Sequence, residues 1–269
     1  MVKKLFKHEF KAWLRVMPII WGIVIAAAGL HRIVRLFEVG STYYNVVSGS
    51  ALVMYAVALI VCIAAPVVFG VVRFYRNMFT GEGYLTLTLP VTTESHLWVK
   101  TLTATAFTVA SVLVAILSVP VITMGELFAE ICKAGAYIVR IIPAEYKGHF
   151  IGYCFEIPLL LLVAIFGAHT YYDTCICIGQ CAKKNRVLAA IGVYFGVYVA
   201  TQILSTILLI IIIVMENAGM LESLIEYIEN NLEEFLHIVF GVGTVVTAAL
   251  SAGCWLISRF VLRKKLNLE

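Results

Sequence analysis

Long apolar stretches alternate with short polar ones along this chain. Six of them, at about 17–37, 47–72, 98–123, 151–172, 187–214 and 236–261, set its architecture. A helix needs about 20 apolar residues to cross the ~30 Å hydrocarbon core of a bilayer, and each stretch reaches or nears that length. A transmembrane β-barrel would instead show segments of about 10 residues with alternating polarity. Runs such as ILSTILLIIIIVM (203–215) do not alternate. Because lipid offers no hydrogen bonds to a bare backbone, the remaining solution is a bundle of helices. The pattern predicts an all-α, polytopic membrane protein with six transmembrane helices.

The segments between the spans carry a second pattern. Residues 3–16, KKLFKHEFKAWLRV, place Leu5, Phe6, Phe10, Trp13 and Leu14 on one stripe, with Lys3, Lys4, Lys7 and Lys11 mostly opposite. Such a helix lies in the membrane interface with its basic side towards the headgroups, so 1–16 is predicted to be an N-terminal interfacial amphipathic helix. It reads equally as a bland anchor or as a lever into the first span. Between spans three and four, Leu127, Ile131, Ala134, Ile138 and Ile141 fall in helical register. Over 215–236, Leu221, Leu224, Ile225, Ile228, Leu232 and Phe235 form a stripe opposed by Glu222, Glu226, Glu229 and Glu233, predicting an amphipathic helix outside the membrane.

Composition agrees with this class. The 269 residues are 62% hydrophobic and 13% charged, against roughly 25% charged for a soluble domain. Fifteen of the 20 Lys and Arg fall in segments that share a side with the N-terminus, and the other five are Arg32, Arg35, Lys133, Arg140 and Lys147. By the positive-inside rule both termini are predicted to be cytoplasmic. The net charge of +4 then needs no nucleic-acid partner. A cleaved signal peptide is not expected, because the basic region is too long and cleavage would leave five spans. Cys175, Cys177 and Cys181 sit close together, but their spacing is not the usual CxxC pair of a metal site, and packing is the expected role.

The polar island Gly81–Lys100, GEGYLTLTLPVTTESHLWVK, interrupts the apolar pattern most sharply. Gly81 and Gly83 are predicted to end the second helix, Pro90 to end an extended or turn segment, and Thr92 or Thr93 to cap the helix entering span three. By itself this describes either an ordinary capped loop or a stiff docking element. The run FYRNMFTGEGYLTLTLPVTTESHLWVK resembles the cytoplasmic loop of ABC-2 type transporter permeases from Gram-positive bacteria. The match rests on Glu82, Gly83, Tyr84, Leu85, Leu89, Pro90, Val91 and Lys100. The family usually has Ser then Arg after the Pro-Val pair, where this chain has Thr92 and Thr93. Residues 5–22 and 178–195 resemble the family's opening and its loop between spans four and five.

The resemblance implies a single permease domain over 1–269, with 73–98 as the cytoplasmic coupling loop. It implies a bacterial cytoplasmic membrane protein that pairs with a second permease copy or paralogue and with cytosolic ABC ATPase subunits. Glu82, Gly83, Tyr84, Pro90, Thr92, Thr93 and Glu94 would dock the ATPase and receive its push, and the cargo would be amphipathic or peptide-like, antimicrobial peptides among them. The chain has no GxxxxGK[ST], HExxH or GxSxG motif, so it is expected to be no enzyme and to bind no cofactor, any ATP being bound by a partner.

The spans hold further candidates. Thr101, Thr105 and Thr108 with Ser111 form a polar stripe that either lines a translocation path or mediates helix packing. Glu156, His169 and Asp173 are ionisable groups near span ends, functional candidates by default. They carry the alternative reading, a stand-alone ion-coupled transporter or channel. Gly192, Gly196 and Ala200 form a small-residue face suited to an internal seam or a subunit contact.

Overall fold

A computed structural model describes residues 2–37, 42–80, 83, 91–123, 126–141 and 147–264. Glu82, Tyr84, Leu85, Leu89 and Pro90 of the polar island lie outside the described residues. The described chain is helical, and six of its helices are long and apolar enough to cross a membrane. It divides into two compact units, Met1–Glu145 and Tyr146–Glu269.

The first unit comprises α1 (Val2–Trp13), α2 (Met17–Leu36), α3 (Thr42–Phe79), α4 (Thr93–Ile122) and α5 (Glu126–Ile141). α1 passes into α2 through a tight turn, with Pro18 in the first turn of α2, where a missing N–H costs nothing. Trp13, 1% exposed, fixes that corner. Its ring meets Phe69 of α3 edge-on at 4.8 Å and stacks on Phe107 of α4 at 5.1 Å, and such pairs add to plain area burial. Above the corner, Val24, Ala27, Ala28, Tyr55, Ala58, Cys62 and Ile122 make the core between α2, α3 and α4. Alanines let these helices approach closely, and hydroxyls tie them. Trp21 Nε1 donates to Ser111 Oγ at 2.8 Å, and the Tyr55 and Ser118 hydroxyls share a 2.7 Å bond.

α3 has 38 residues, roughly 57 Å at 1.5 Å per residue. That is far more than a bilayer core spans, so part of it stands outside the hydrocarbon. Pro66 is accommodated within it, fully buried.

The second unit comprises α6 (Lys147–Gly179), α7 (Arg186–Asn217), α8 (Glu222–Asn230) and α9 (Leu232–Lys264). α6 is its centre, packing on both α9 and α7. The missing side chains of two α6 glycines allow this. A Cβ on Gly167 would sit 2.6 Å from Ser251 Oγ of α9, and one on Gly179 would sit 2.6 Å from the backbone of Ala190 in α7. Thr174 Oγ1 reaches across to the Cys254 carbonyl at 2.9 Å and to the Ser258 hydroxyl at 2.8 Å. Asn185, at φ 56°, and Gly219, at φ 69°, turn the chain at the two ends of α7.

The six long helices match the six apolar runs; four outlast them at both ends, while the helices ending at Leu36 and Ile122 stop one residue short. The segment 215–236 differs in its bounds: the helix α8 covers only Glu222–Asn230, and Leu232 already opens α9. Asn231, at φ −138° and ψ 46°, separates them. Glu233 and Glu234 then stand in the first turn of α9, where a carboxylate complements the helix dipole.

Candidate functional site

Two groups of polar side chains stand out, one in each unit. The first surrounds Glu9. This residue is the one acid among residues 1–16, and it lies on the buried side of α1 beside Trp13, 5% exposed. Arg73, near the end of α3, donates from Nε to Oε1 at 2.6 Å and from its terminal NH2 to Oε2 at 3.1 Å. Lys100, two turns into α4, donates to the same Oε1 at 3.5 Å. A forked guanidinium–carboxylate pair is the strongest and most directional ion pair available to side chains. Its burial makes either charge costly to leave alone. The consequence is mechanical: α1, the end of α3 and the start of α4 meet at one carboxylate. Arg73 lies before the polar island in sequence and Lys100 at its end. His96, one turn before Lys100, is fully buried, and no described group bonds either of its ring nitrogens.

The entry to α4 is built as its sequence suggests. Thr92 adopts an extended conformation, and its Oγ1 accepts from the Ser95 N–H at 3.3 Å, so Thr92 is the N-cap. Glu94 stands in the first turn, favourably placed for the helix dipole, and Thr93 and Glu94 are half-buried. Gly83 is buried; its N–H bonds the Thr80 carbonyl at 2.7 Å, and a Cβ would fall 2.6 Å from the Met78 carbonyl oxygen. A close backbone approach of this kind explains a glycine there.

Thr101, Thr105 and Thr108 face the interior of the first unit, all buried, and each hydroxyl donates to the carbonyl four residues earlier, at 2.8 to 3.0 Å. Ser111 accepts from Trp21. Within this unit the stripe is satisfied by its own backbone and by α2.

The second group gathers around Glu156 in α6. Nδ1 of His237, in the second turn of α9, lies 2.8 Å from both Glu156 oxygens. Nε2 of the same ring lies 3.0 Å from Nδ1 of His149, on α6. Tyr153 stacks on His237 at 4.4 Å and donates its hydroxyl to the Glu233 carbonyl at 2.9 Å. Gly152 leaves the space the ring needs, since a Cβ there would stand 2.6 Å from His237 Cε1. His169 and Asp173 are buried farther along α6, one helical turn apart.

Sequence reasoning singled out Glu156 but not His237 or His149, and Lys100 but not Glu9. Glu9 did carry a signal, a lone acid on a basic helix. His237 carried none, since its partner lies 81 positions away. No protein-family model, curated protein or solved structure matches the chain.

Proposed function

We propose that this protein is the permease subunit of an ATP-binding-cassette exporter of the ABC-2 type, working with a second permease and two separate ATPase subunits. In this reading it lies in a bacterial cytoplasmic membrane with both termini inside and moves an amphipathic or peptide-like cargo outward. α1 lies in the inner interface. Its exposed Lys3, Lys4, Lys7 and Lys11 face headgroups, and its half-exposed Phe6, Phe10 and Leu14 face the acyl boundary.

What carries the reading is the relation between the polar island and the carboxylate of Glu9. The residues that resemble the coupling loop of ABC-2 permeases run from Glu82 to Lys100, and Lys100, at their end, and Arg73, before their start, are held on one acid of α1. A push on such a loop has a stiff path into α1, the start of α2 and the ends of α3 and α4. The test is co-purification of the tagged protein with the ATPase encoded by a neighbouring gene. Association in the wild type and its loss in Glu82→Lys with Pro90→Gly, at unchanged membrane levels, supports docking. Absence of any ATPase in both removes the reading's main support.

A second reading, an ion-coupled transporter that needs no ATPase, draws on Glu156 and its hydrogen-bonded histidines. Transport by the chain alone in proteoliposomes, driven by an ion gradient and abolished by Glu156→Gln, would favour it.

A further inference from the structure

The histidine pair at the junction of α6 and α9, which the second reading uses only as partners of Glu156, also has a metal-binding chemistry. The Glu156 carboxylate, an acceptor, faces Nδ1 of His237 at 2.8 Å, so that nitrogen carries the proton. The opposite nitrogen, Nε2, then presents a lone pair, aimed at His149 Nδ1 3.0 Å away. A carboxylate behind an imidazole that fixes its tautomer and raises its basicity is the support found behind metal-binding histidines. Neighbouring ligands at about 2.0–2.1 Å from one tetrahedral ion stand about 3.3–3.4 Å apart, so the two nitrogens, now 3.0 Å apart, need to separate by only a few tenths of an ångström to share an ion.

The pair is held in place. Tyr153 stacks on the His237 ring and is itself tethered to the Glu233 carbonyl, while Gly152 leaves the room that the ring occupies. Among the described residues the charge nearby is negative, with Glu156 beside the ring and Glu233 and Glu234 in the first turn of α9. An anion would be repelled there and a divalent cation drawn in. His237 is about one quarter exposed and His149 half-exposed, so an ion has access.

We infer that His149 Nδ1 and His237 Nε2 together bind one divalent transition-metal ion of the imidazole-preferring class, Zn²⁺, Ni²⁺ or Cu²⁺, with Glu156 orienting the His237 ring. No three of the described His, Cys, Asp and Glu side chains converge on one point, so the protein supplies two ligands and water the others. Without metal, the proton on His149 Nδ1 bridges the two rings. On binding, that proton moves to His149 Nε2 through solvent, and the ion takes its place.

Equilibrium dialysis of Zn²⁺ against the full-length protein in detergent, purified through a tag free of histidine, tests this. Wild type should hold one more ion per chain than His149→Ala or His237→Ala, the cysteines being common to all three. Glu156→Gln should keep the stoichiometry but bind at least tenfold more weakly. His149 is half-exposed, so its alanine variant should stay monodisperse and rule out misfolding as the cause. Equal stoichiometry in all four proteins would overturn the inference. So would loss in His237→Ala alone, since the ion would then not be shared by both rings.

Discussion

The guanidinium of Arg73 grips both carboxylate oxygens of Glu9 across 64 positions of sequence, at 2.6 and 3.1 Å. The bond joins the end of a span to the N-terminal helix at a point where neither charge is well solvated, and Lys100 closes on the same acid at 3.5 Å.

Glu9→Ala strands Arg73 and Lys100 without their shared acid. Breaking a buried pair from one side costs about 3–5 kcal/mol, discounted here towards about 2–3 because Arg73 keeps one fifth of its side-chain exposure. Thermal unfolding in detergent should show a clear drop in midpoint. Glu9→Leu combined with Arg73→Leu and Lys100→Met should lose less than Glu9→Ala alone, since no charge is then stranded. A triple variant as unstable as the single would mean that the ion pair is not what holds α1.

Removing the cap at Thr92 is a smaller change. Thr92→Ala should cost about 1 kcal/mol and speed amide exchange at Ser95, whose N–H bonds the Thr92 hydroxyl. Thr92→Ser and Thr92→Asp should restore both. If alanine and serine behave alike, the hydroxyl does not secure the start of α4.

Two glycines of the second unit should respond in opposite ways. Gly179→Ala drives a Cβ against the backbone of Ala190 at 2.6 Å. A backbone cannot step aside like a side chain, so about 1–3 kcal/mol of stability should be lost. Gly192→Ala meets nothing within 4 Å and should leave stability unchanged or slightly raised. Differential scanning fluorimetry on the two variants would show both signs.

The threonine stripe should behave as packing. Thr105→Val and Thr108→Val keep the buried shape and remove a hydroxyl already bonded to its own helix. Each should cost about 1 kcal/mol or less and leave transport in proteoliposomes near the wild-type rate. A severalfold fall in transport at unchanged stability would instead place the stripe on the path of the cargo.

The sequence displayed its helices plainly, because an apolar run of span length has few alternatives in water or lipid. A cap at Thr92 or Thr93 was legible for a local reason, since the hydroxyl acts three residues away, and the choice between the two came only with the structure, which has Thr92 bonding the Ser95 N–H. His237 was not legible, since its partner is 81 positions distant and periodicity carries no information at that range; Glu9 was marked only as a lone acid on a basic helix, its partner lying 64 positions away. On α1, Glu9 and Trp13 face inward while Phe6, Phe10 and Leu14 remain more than a third exposed; the stripe read from the sequence includes Trp13, but its periodicity did not mark Glu9 as a buried group. The α8–α9 boundary at Asn231 was hidden inside a continuous amphipathic pattern that a one-residue break hardly disturbs.

Docking of an ATPase beside the capped start of α4 is tested most directly by photo-crosslinking in intact cells. A crosslinking amino acid would replace Glu94, in the first turn of α4, or Glu226, in the middle of α8. An adduct with the ATPase from position 94 and none from position 226 is the predicted result, since the two positions would face opposite sides of the membrane. An adduct from 226, or none from 94 while both proteins reach the membrane, would contradict both the sidedness and the exporter function.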